Sequence, residues 1–185
     1  DKADIILLTH SHYDHCSLED LNKIIQDKTR IICTADCQSK IARFETALKV
    51  DLVEPNREVD LGMIKISTLP AYNIDKEFHT KESNWIGYLI KMNDVLIYHA
   101  GDTDLIPEMQ KLTGHQEKNF IALLPIGGRF TMTAEEAADV ALMLKPDVAI
   151  PMHYGAGVAG TIEDAKRFVD LCKKENIDAR ILDKL

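Results

Sequence analysis

Short apolar runs alternate with polar, helix-capping segments along this chain. Residues 4–9 (DIILLT) form a continuous apolar run, the pattern of a buried strand. Ser17 then stands before Leu18-Glu19-Asp20 as an N-cap, and Leu18, Leu21, Ile24 and Ile25 supply an apolar stripe at helical spacing. A strand over 30–34 and a second helix over 36–44 complete a β-α-β-α opening. Residues 58–69 alternate around Gly62, with Met63, Ile64, Ile66 and Leu69 strand-like. Residues 71–84 are polar and aperiodic, which predicts a long loop, and long loops inside compact domains are usually functional or disordered. Residues 85–92 and 95–100 flank Asn93-Asp94 as a hairpin-like pair. The last third predicts a short helix over 105–112, with Pro107 tolerable in its first turn, and a strand over 120–124. The capping box Thr133-Ala134-Glu135-Glu136 then opens a helix over 133–144, followed by a strand over 147–150. A helix capped by Thr161 runs to 174, and a strand over 179–182 closes the chain. No repeat, low-complexity tract or linker interrupts residues 1–185, so a single layered α/β domain is expected.

Bulk properties narrow the classes. With 185 residues, 45% hydrophobic and 28% charged, the composition is that of an ordinary soluble globular chain. A formal net charge of −8 argues against a broad grip on nucleic acid, because neutralising phosphates requires clustered Lys and Arg. A nuclease with a local basic patch stays open. No run of about 18 apolar residues suggests a membrane span. Cys16, Cys33, Cys37 and Cys172 are even in number, but a core-rich chain needs no disulfide framework. Free buried thiols and a cytoplasmic location are expected. The chain opens on Asp1 and runs straight into an apolar segment, as a fragment of a longer product would. On that reading, the lack of a signal peptide says little.

Chemistry concentrates in the histidines. Three of the seven fall within Thr9-His10-Ser11-His12-Tyr13-Asp14-His15, at the end of the first apolar run. His10 and His12, two apart, project to one side of an extended backbone. Asp14 and His15 follow where the chain must turn before Ser17. Neutral imidazole is the commonest side-chain metal ligand, so the run can aim four ligands into one cleft. Asp102 in Gly101-Asp102-Thr103 and His153 in Pro151-Met152-His153-Tyr154 each follow a predicted strand. Taken alone, Asp102 reads equally as a turn residue and His153 as a surface histidine.

Taken together, the His10-x-His12-x-Asp14-His15 run, the Gly-Asp102-Thr motif and the Pro-Met-His153-Tyr motif resemble the metallo-β-lactamase-fold hydrolases. Residues 98–104 (YHAGDTD), 124–132 (LPIGGRFTM) and 151–154 (PMHY) are similar to the branch containing the L-ascorbate-6-phosphate lactonases. The resemblance covers nearly the whole chain from Asp4 onward. It implies a four-layer αββα sandwich lacking part of the usual N-terminal strands. It also implies two divalent metal ions. His10 and His12 would bind the first with a third histidine, Asp14 and His15 would bind the second with His153, and Asp102 would bridge both. His79 is the candidate for the third histidine, because the family's segment resembles Ala71-Tyr-Asn followed by Phe78-His79. The alternative for His79 is an exposed loop histidine among Lys76, Glu77 and Lys81.

Mixed His and carboxylate ligation suits zinc, and manganese or iron can use it too. Two cations roughly 3.5–4 Å apart would hold a water or hydroxide, lower its pKa and polarise an ester, lactone or phosphoester. Asp14 would ligate and orient the nucleophile, so Asp14 and Asp102 are the catalytic candidates. Arg129, after Gly127-Gly128, is a candidate to pair with a substrate phosphate or carboxylate, and the two glycines would admit a ligand to backbone N–H groups. Tyr154 is a candidate donor to a transition-state oxygen, or a packing residue. Tyr72, Asn73 and Trp85 flank the His79 loop and could shape the cleft. His99 reads as a support for a ligand or as a core histidine, and His115 as surface. Cys16 reads as a buried thiol. The competing readings are a phosphodiesterase or nuclease of the same fold, and a non-enzymatic metal-binding interaction domain. A small-molecule substrate is the expected partner, with neither nucleic acid nor membrane, and an exposed sheet edge could pair with a second copy.

Overall fold

The computed structural model describes residues 1–115, 119–155, 157 and 159–183. Two sheets lie face to face. The smaller is parallel, in the order β1 (Ile5–Leu8), β2 (Arg30–Cys33), β3 (Lys49–Leu52). The larger is mixed and runs in chain order: β4 (Glu58–Asp60), β5 (Ile64–Pro70), β6 (Ile86–Met92), β7 (Val95–His99), β8 (Asn119–Pro125), β9 (Val148–Met152). Strands β4 to β7 are antiparallel, while β7, β8 and β9 are parallel.

Alternation along the strands explains the layering. Ile6, Leu8, Ile31 and Cys33 turn outward into a cluster with Leu21 of α1 (Leu18–Ile24) and Ile41 of α2 (Gln38–Ile41). Ile32 turns the other way, against Ile66, Ile86 and Tyr88 of the larger sheet. Tyr88 spans the sheets: its hydroxyl lies 2.7 Å from Leu8 O and 2.9 Å from Ile32 O. The far face of the larger sheet packs on α3 (Ala134–Leu144) through Ala137, Val140, Ala141 and Leu144. It packs on α4 (Ile162–Lys174) through Ala165, Phe168 and Cys172. Both helices open on capping boxes, Thr133 with Glu136 and Thr161 with Asp164. The result is the expected four-layer αββα sandwich. The four cysteines are free and buried. Among the described residues no helix is long and apolar enough to cross a membrane.

Several elements depart from the sequence-based expectation. The helix over 36–44 is a 3-10 turn (Ala35–Cys37) followed by the single turn of α2, because only Cys37 and Ile41 are fully buried there and so short a helix cannot sustain itself. The helix over 105–112 is a 3-10 helix, Pro107–Leu112. Its neighbourhood buries Ile106, Met109 and Leu112, a three-residue spacing that matches the 3-10 repeat. The alternating segment over 58–69 is a hairpin, broken at Gly62, whose N–H donates to Asp60. The strand over 179–182 shrinks to one bridge, Ala149 to Ala179, because the residues beyond it bury no face. Strand β3 has no counterpart among the expected elements: Val50 and Leu52 alternate with polar Lys49 and Asp51 but are exposed, and the strand is held by pairing to β2 and by the Arg30–Asp51 ion pair at 2.5 Å.

Candidate metal centre

The carboxyl ends of β1, β5, β7 and β9 lie at one edge of the sandwich, and each leads into a segment that carries candidate ligands. After β1 the chain turns tightly: His15 N and Cys16 N both donate to His12 O, at 3.1 and 2.8 Å. Ser17 then caps α1 by accepting from Asp20 N. This turn folds Asp14 and His15 back towards His10. Thr9 Oγ1 lies 2.9 Å from His10 Nδ1 and 3.3 Å from His15 Nδ1, which turns both Nε2 atoms inward.

His79 comes from the long loop between β5 and β6, which is ordered by specific bonds rather than by periodicity. Asn73 Nδ2 donates to Phe78 O at 2.9 Å and to Phe130 O at 2.7 Å, and Asn73 N donates to His79 O at 2.7 Å. Asp104 accepts from Ile74 N and pairs with Lys76, which also donates to Thr131 O. His79 Nδ1 lies 2.9 Å from Phe130 O. A carbonyl only accepts, so Nδ1 carries the hydrogen and Nε2 presents its lone pair to the cleft. His79 and His153 both adopt left-handed backbone, φ 56° and 59°, which is uncommon outside glycine. Such geometry persists where the surroundings impose it, and it clusters at functional sites.

Asp102 follows β7 through Gly101, whose φ is +69° and whose missing Cβ would lie 2.7 Å from Ile86 O. His99 supports this turn by accepting from Gly101 N at 3.2 Å. Asp102 Oδ2 ends up amid four imidazole Nε2 atoms: His79 at 3.2 Å, His15 at 3.3 Å, His153 at 3.4 Å and His10 at 3.9 Å. Asp14 Oδ2 lies 3.5 Å from Nε2 of both His15 and His153. All seven candidate ligands therefore converge. Three triads each offer ligand atoms within 4.8 Å of one another: His10, His12 and His79; Asp14, His15 and His153; and His10, His15 and Asp102.

The donor set suits divalent cations. The Nε2 atoms of His10, His15 and His79 and the Oδ1 of Asp102 are buried without a hydrogen-bond partner. Burying such groups unpaired is costly unless something accepts their lone pairs. Protonation of the imidazoles is resisted at His10, where burial and then His15 push the pKa down to about 2. Burial and then His79 also lower His12. At His15 burial acts in the same sense but is outweighed by the adjacent Asp102 carboxylate, which raises it. Burial likewise opposes ionisation of Asp102, yet the adjacent His15 and His79 imidazoles hold it far below the ordinary carboxylate range.

Trp85 closes the wall behind the histidines. Its ring centroid lies 4.4 Å from His10, 4.7 Å from His12 and 5.2 Å from His79, and its Nε1 donates to Asp36 Oδ2 at 2.9 Å. Asp36 also accepts from Ser11 N, so it holds the ligand run and the tryptophan together. Nothing in the local sequence around Asp36 signals this role.

The cleft in front of the ligands has a volume of 290 Å³ and is walled by Tyr13, Phe78 and Phe130 beside His12, Asp14, His79, Asp102 and His153. Two residues expected to contact substrate are placed otherwise. Arg129 is not part of the lining; its guanidinium lies over the Phe130 ring, 4.8 Å from the centroid. Tyr154 is half-buried against the larger core cluster. Gly127 is small for a different reason from the one expected: a Cβ there would meet His153 O at 3.1 Å and His153 Nδ1 at 3.2 Å, so the space is taken by the histidine and not by a ligand. His115 lies beside Phe120, 6.1 Å between ring centroids, away from the cleft.

Comparison with known proteins agrees with this geometry. The family model described as "Beta-lactamase superfamily domain" matches residues 1–154. The chain belongs to that superfamily. Within it, the chain is 35% identical to a UPF0173 metal-dependent hydrolase of Thermoplasma acidophilum, over 83% of this chain and 66% of the relative. It is 34% identical to a UPF0173 metal-dependent hydrolase of Pyrococcus horikoshii, over 90% of this chain and 74% of the relative. The chain thus spans about two thirds to three quarters of the length of these superfamily members. A crystal structure assigned as a metal-dependent hydrolase from Parabacteroides distasonis superposes with a TM-score of 0.81 at 32% identity, covering 97% of this chain and 76% of that one.

Proposed function

We propose that the chain is a metal-dependent hydrolase that holds two divalent cations and cleaves a small ester, lactone or phosphoester. The observation that carries this reading is the convergence of unpartnered, buried Nε2 and carboxylate oxygen atoms on one cleft. His10, His12 and His79 would hold one cation, Asp14, His15 and His153 the other, with Asp102 between them. Zinc suits this donor set, and manganese or iron can use it. When bound, the cations supply Lewis acidity and make water a better nucleophile near neutral pH. The protein's own contribution is positional. Thr9 and Phe130 O fix ring orientation from behind, and burial keeps His10 neutral and ready to ligate. Asp14, with a third of its side chain exposed, is the carboxylate that faces the cleft and can orient water or take its proton. Asp102 is enclosed and suited to ligation alone. A lactone stays among the candidates because residues 98–104 and 124–132 resemble the lactonase branch.

Metal analysis of protein purified without chelator tests the first half of this reading. About two equivalents are expected, falling in Asp102→Ala. Less than one equivalent per chain, unchanged in the variant, refutes it. For the second half, a panel of lactones, esters and bis-aryl phosphodiesters compares native protein with Asp14→Ala. Turnover is expected to require metal and Asp14, and an inactive, fully metal-loaded native protein overturns it.

A further inference from the structure

We propose that the cleft selects an uncharged ester or lactone whose group beside the scissile carbonyl is apolar, seated between Tyr13, Phe78 and Phe130. This rests on the hydrolytic reading above and narrows its substrate. Scattered exposed apolar side chains are ordinary, but three aromatic residues converging on one concave site are not. Tyr13 is 67% exposed and Phe78 46% exposed, and none of the three belongs to a packed core cluster. Phe78 and Phe130 meet edge to face, 4.9 Å between centroids at 87°, which leaves a ring face and an edge for a ligand to lie against.

The sequence positions of these rings tie them to the reacting centre. Tyr13 stands between His12 and Asp14, and Phe78 directly precedes His79. The carbonyl of Phe130 receives the His79 ring hydrogen. An apolar substituent contacting these rings therefore lies within about one residue's reach of the ligands, on the acyl or alkoxy part adjoining the scissile bond. A volume of 290 Å³ is near the lower end of sites for small molecules, roughly 300–1,000 Å³.

Charge disfavours the phosphorylated alternative. Recognition of a phosphate remote from the scissile bond calls for Arg or Lys in the lining. Among the described residues no Lys or Arg lines the cleft. Of the neighbouring cations, Lys76 pairs with Asp104 and Thr131 O and Lys81 with Glu108 and the Tyr72 hydroxyl, while the exposed Arg129 lies over the Phe130 ring and outside the lining. In the proposed reaction water oxygen bonds to the carbonyl carbon, the acyl carbon–oxygen bond breaks, and the leaving alkoxide takes a proton. The products are an alcohol and a carboxylic acid that ionises, so each turnover releases one proton.

Proton release by metal-loaded protein is measured on methyl esters from acetate to hexanoate, on γ-lactones with side chains from hydrogen to butyl, and on glucono-δ-lactone with its 6-phosphate. The chain carries a single tryptophan, Trp85, beside His10, His12 and His79, so its fluorescence reports binding of the matching alkyl carboxylates without turnover. Both kcat/KM and affinity should rise about fourfold per added methylene, and this slope should flatten in Phe78→Ala and Phe130→Ala at unchanged metal content. A flat series, or preference for the 6-phosphate, overturns the apolar proposal while leaving hydrolysis intact. Absence of turnover on every substrate refutes the hydrolase reading, and the fluorescence series then still decides whether the cleft prefers apolar chains.

Discussion

Removal of the Asn73 amide should loosen one half of the metal centre and spare the other. Asn73 is buried, and its Nδ2 donates to Phe78 O at 2.9 Å and Phe130 O at 2.7 Å, on either side of the loop that carries His79. In Asn73→Ala, Phe130 O keeps the His79 ring hydrogen, whereas Phe78 O loses its side-chain donor. Two hydrogen bonds at about 1 kcal/mol net each, one of which leaves a carbonyl without its side-chain donor, predict a loss of roughly 2–3 kcal/mol. For a chain of this length that is a fall in Tm of about 4–12 °C. His79, held in left-handed backbone at φ 56°, then loses part of what imposes that conformation. Loss of such supporting contacts typically costs about 10–100-fold in metal affinity. The loss should fall on the His10, His12 and His79 triad, because Asn73 hydrogen-bonds the His79 loop and shares no hydrogen bond with Asp14, His15 or His153. Competition with a chelator, read by metal stoichiometry and followed alongside urea unfolding, separates the two sites. At a metal concentration that fills both sites in the native protein, the variant should retain one equivalent. Two equivalents held as tightly as in the native protein, or equal loss from both sites, would refute the reasoning.

Three further outcomes are expected. Metal-free protein should lose stability in acid: burial, then His15, hold folded His10 at about 2 against 6.5, so the unfolded chain takes the proton first. The His10 contribution is complete above 6.5 and falls by about 1.4 kcal/mol per pH unit below it. His12 has the same sign, and His15, raised, has the opposite one, so a urea midpoint no lower at pH 5 than at pH 7.5 contradicts the assignment. Tyr88→Phe removes the hydroxyl shared by Leu8 O and Ile32 O between the sheets, and should cost about 1–3 kcal/mol in urea unfolding; a change below about 0.5 kcal/mol contradicts it. Gly101→Ala puts a Cβ 2.7 Å from Ile86 O at φ +69° and should displace Asp102, so metal content falls together with stability; native metal content counts against this.

Local residue chemistry settled much of this protein. Alternation and capping placed β1, β2, the β6–β7 pair, α3 and α4, because burial of one face and satisfaction of helix-terminal N–H groups are decided within a few residues. The same holds for His10, His12, Asp14 and His15, which one turn brings together within the span of six residues. The tertiary structure decided what depends on distant partners. β3 exists through pairing with β2 and the Arg30–Asp51 pair, since the Val50 and Leu52 of its short alternation stay exposed. The 3-10 geometry of Pro107–Leu112 follows the three-residue spacing of side chains that the larger core accepts. His79 reaches the centre only because Asn73, Phe130 O and Asp104 order an aperiodic loop from far along the chain. Arg129 and Tyr154 had the right chemistry for substrate contact, but packing placed one over Phe130 and the other against the core. The aromatic walls of the cleft take their meaning from convergence alone, since Tyr13, Phe78 and Phe130 lie in separate segments that only the closed sandwich brings to one mouth.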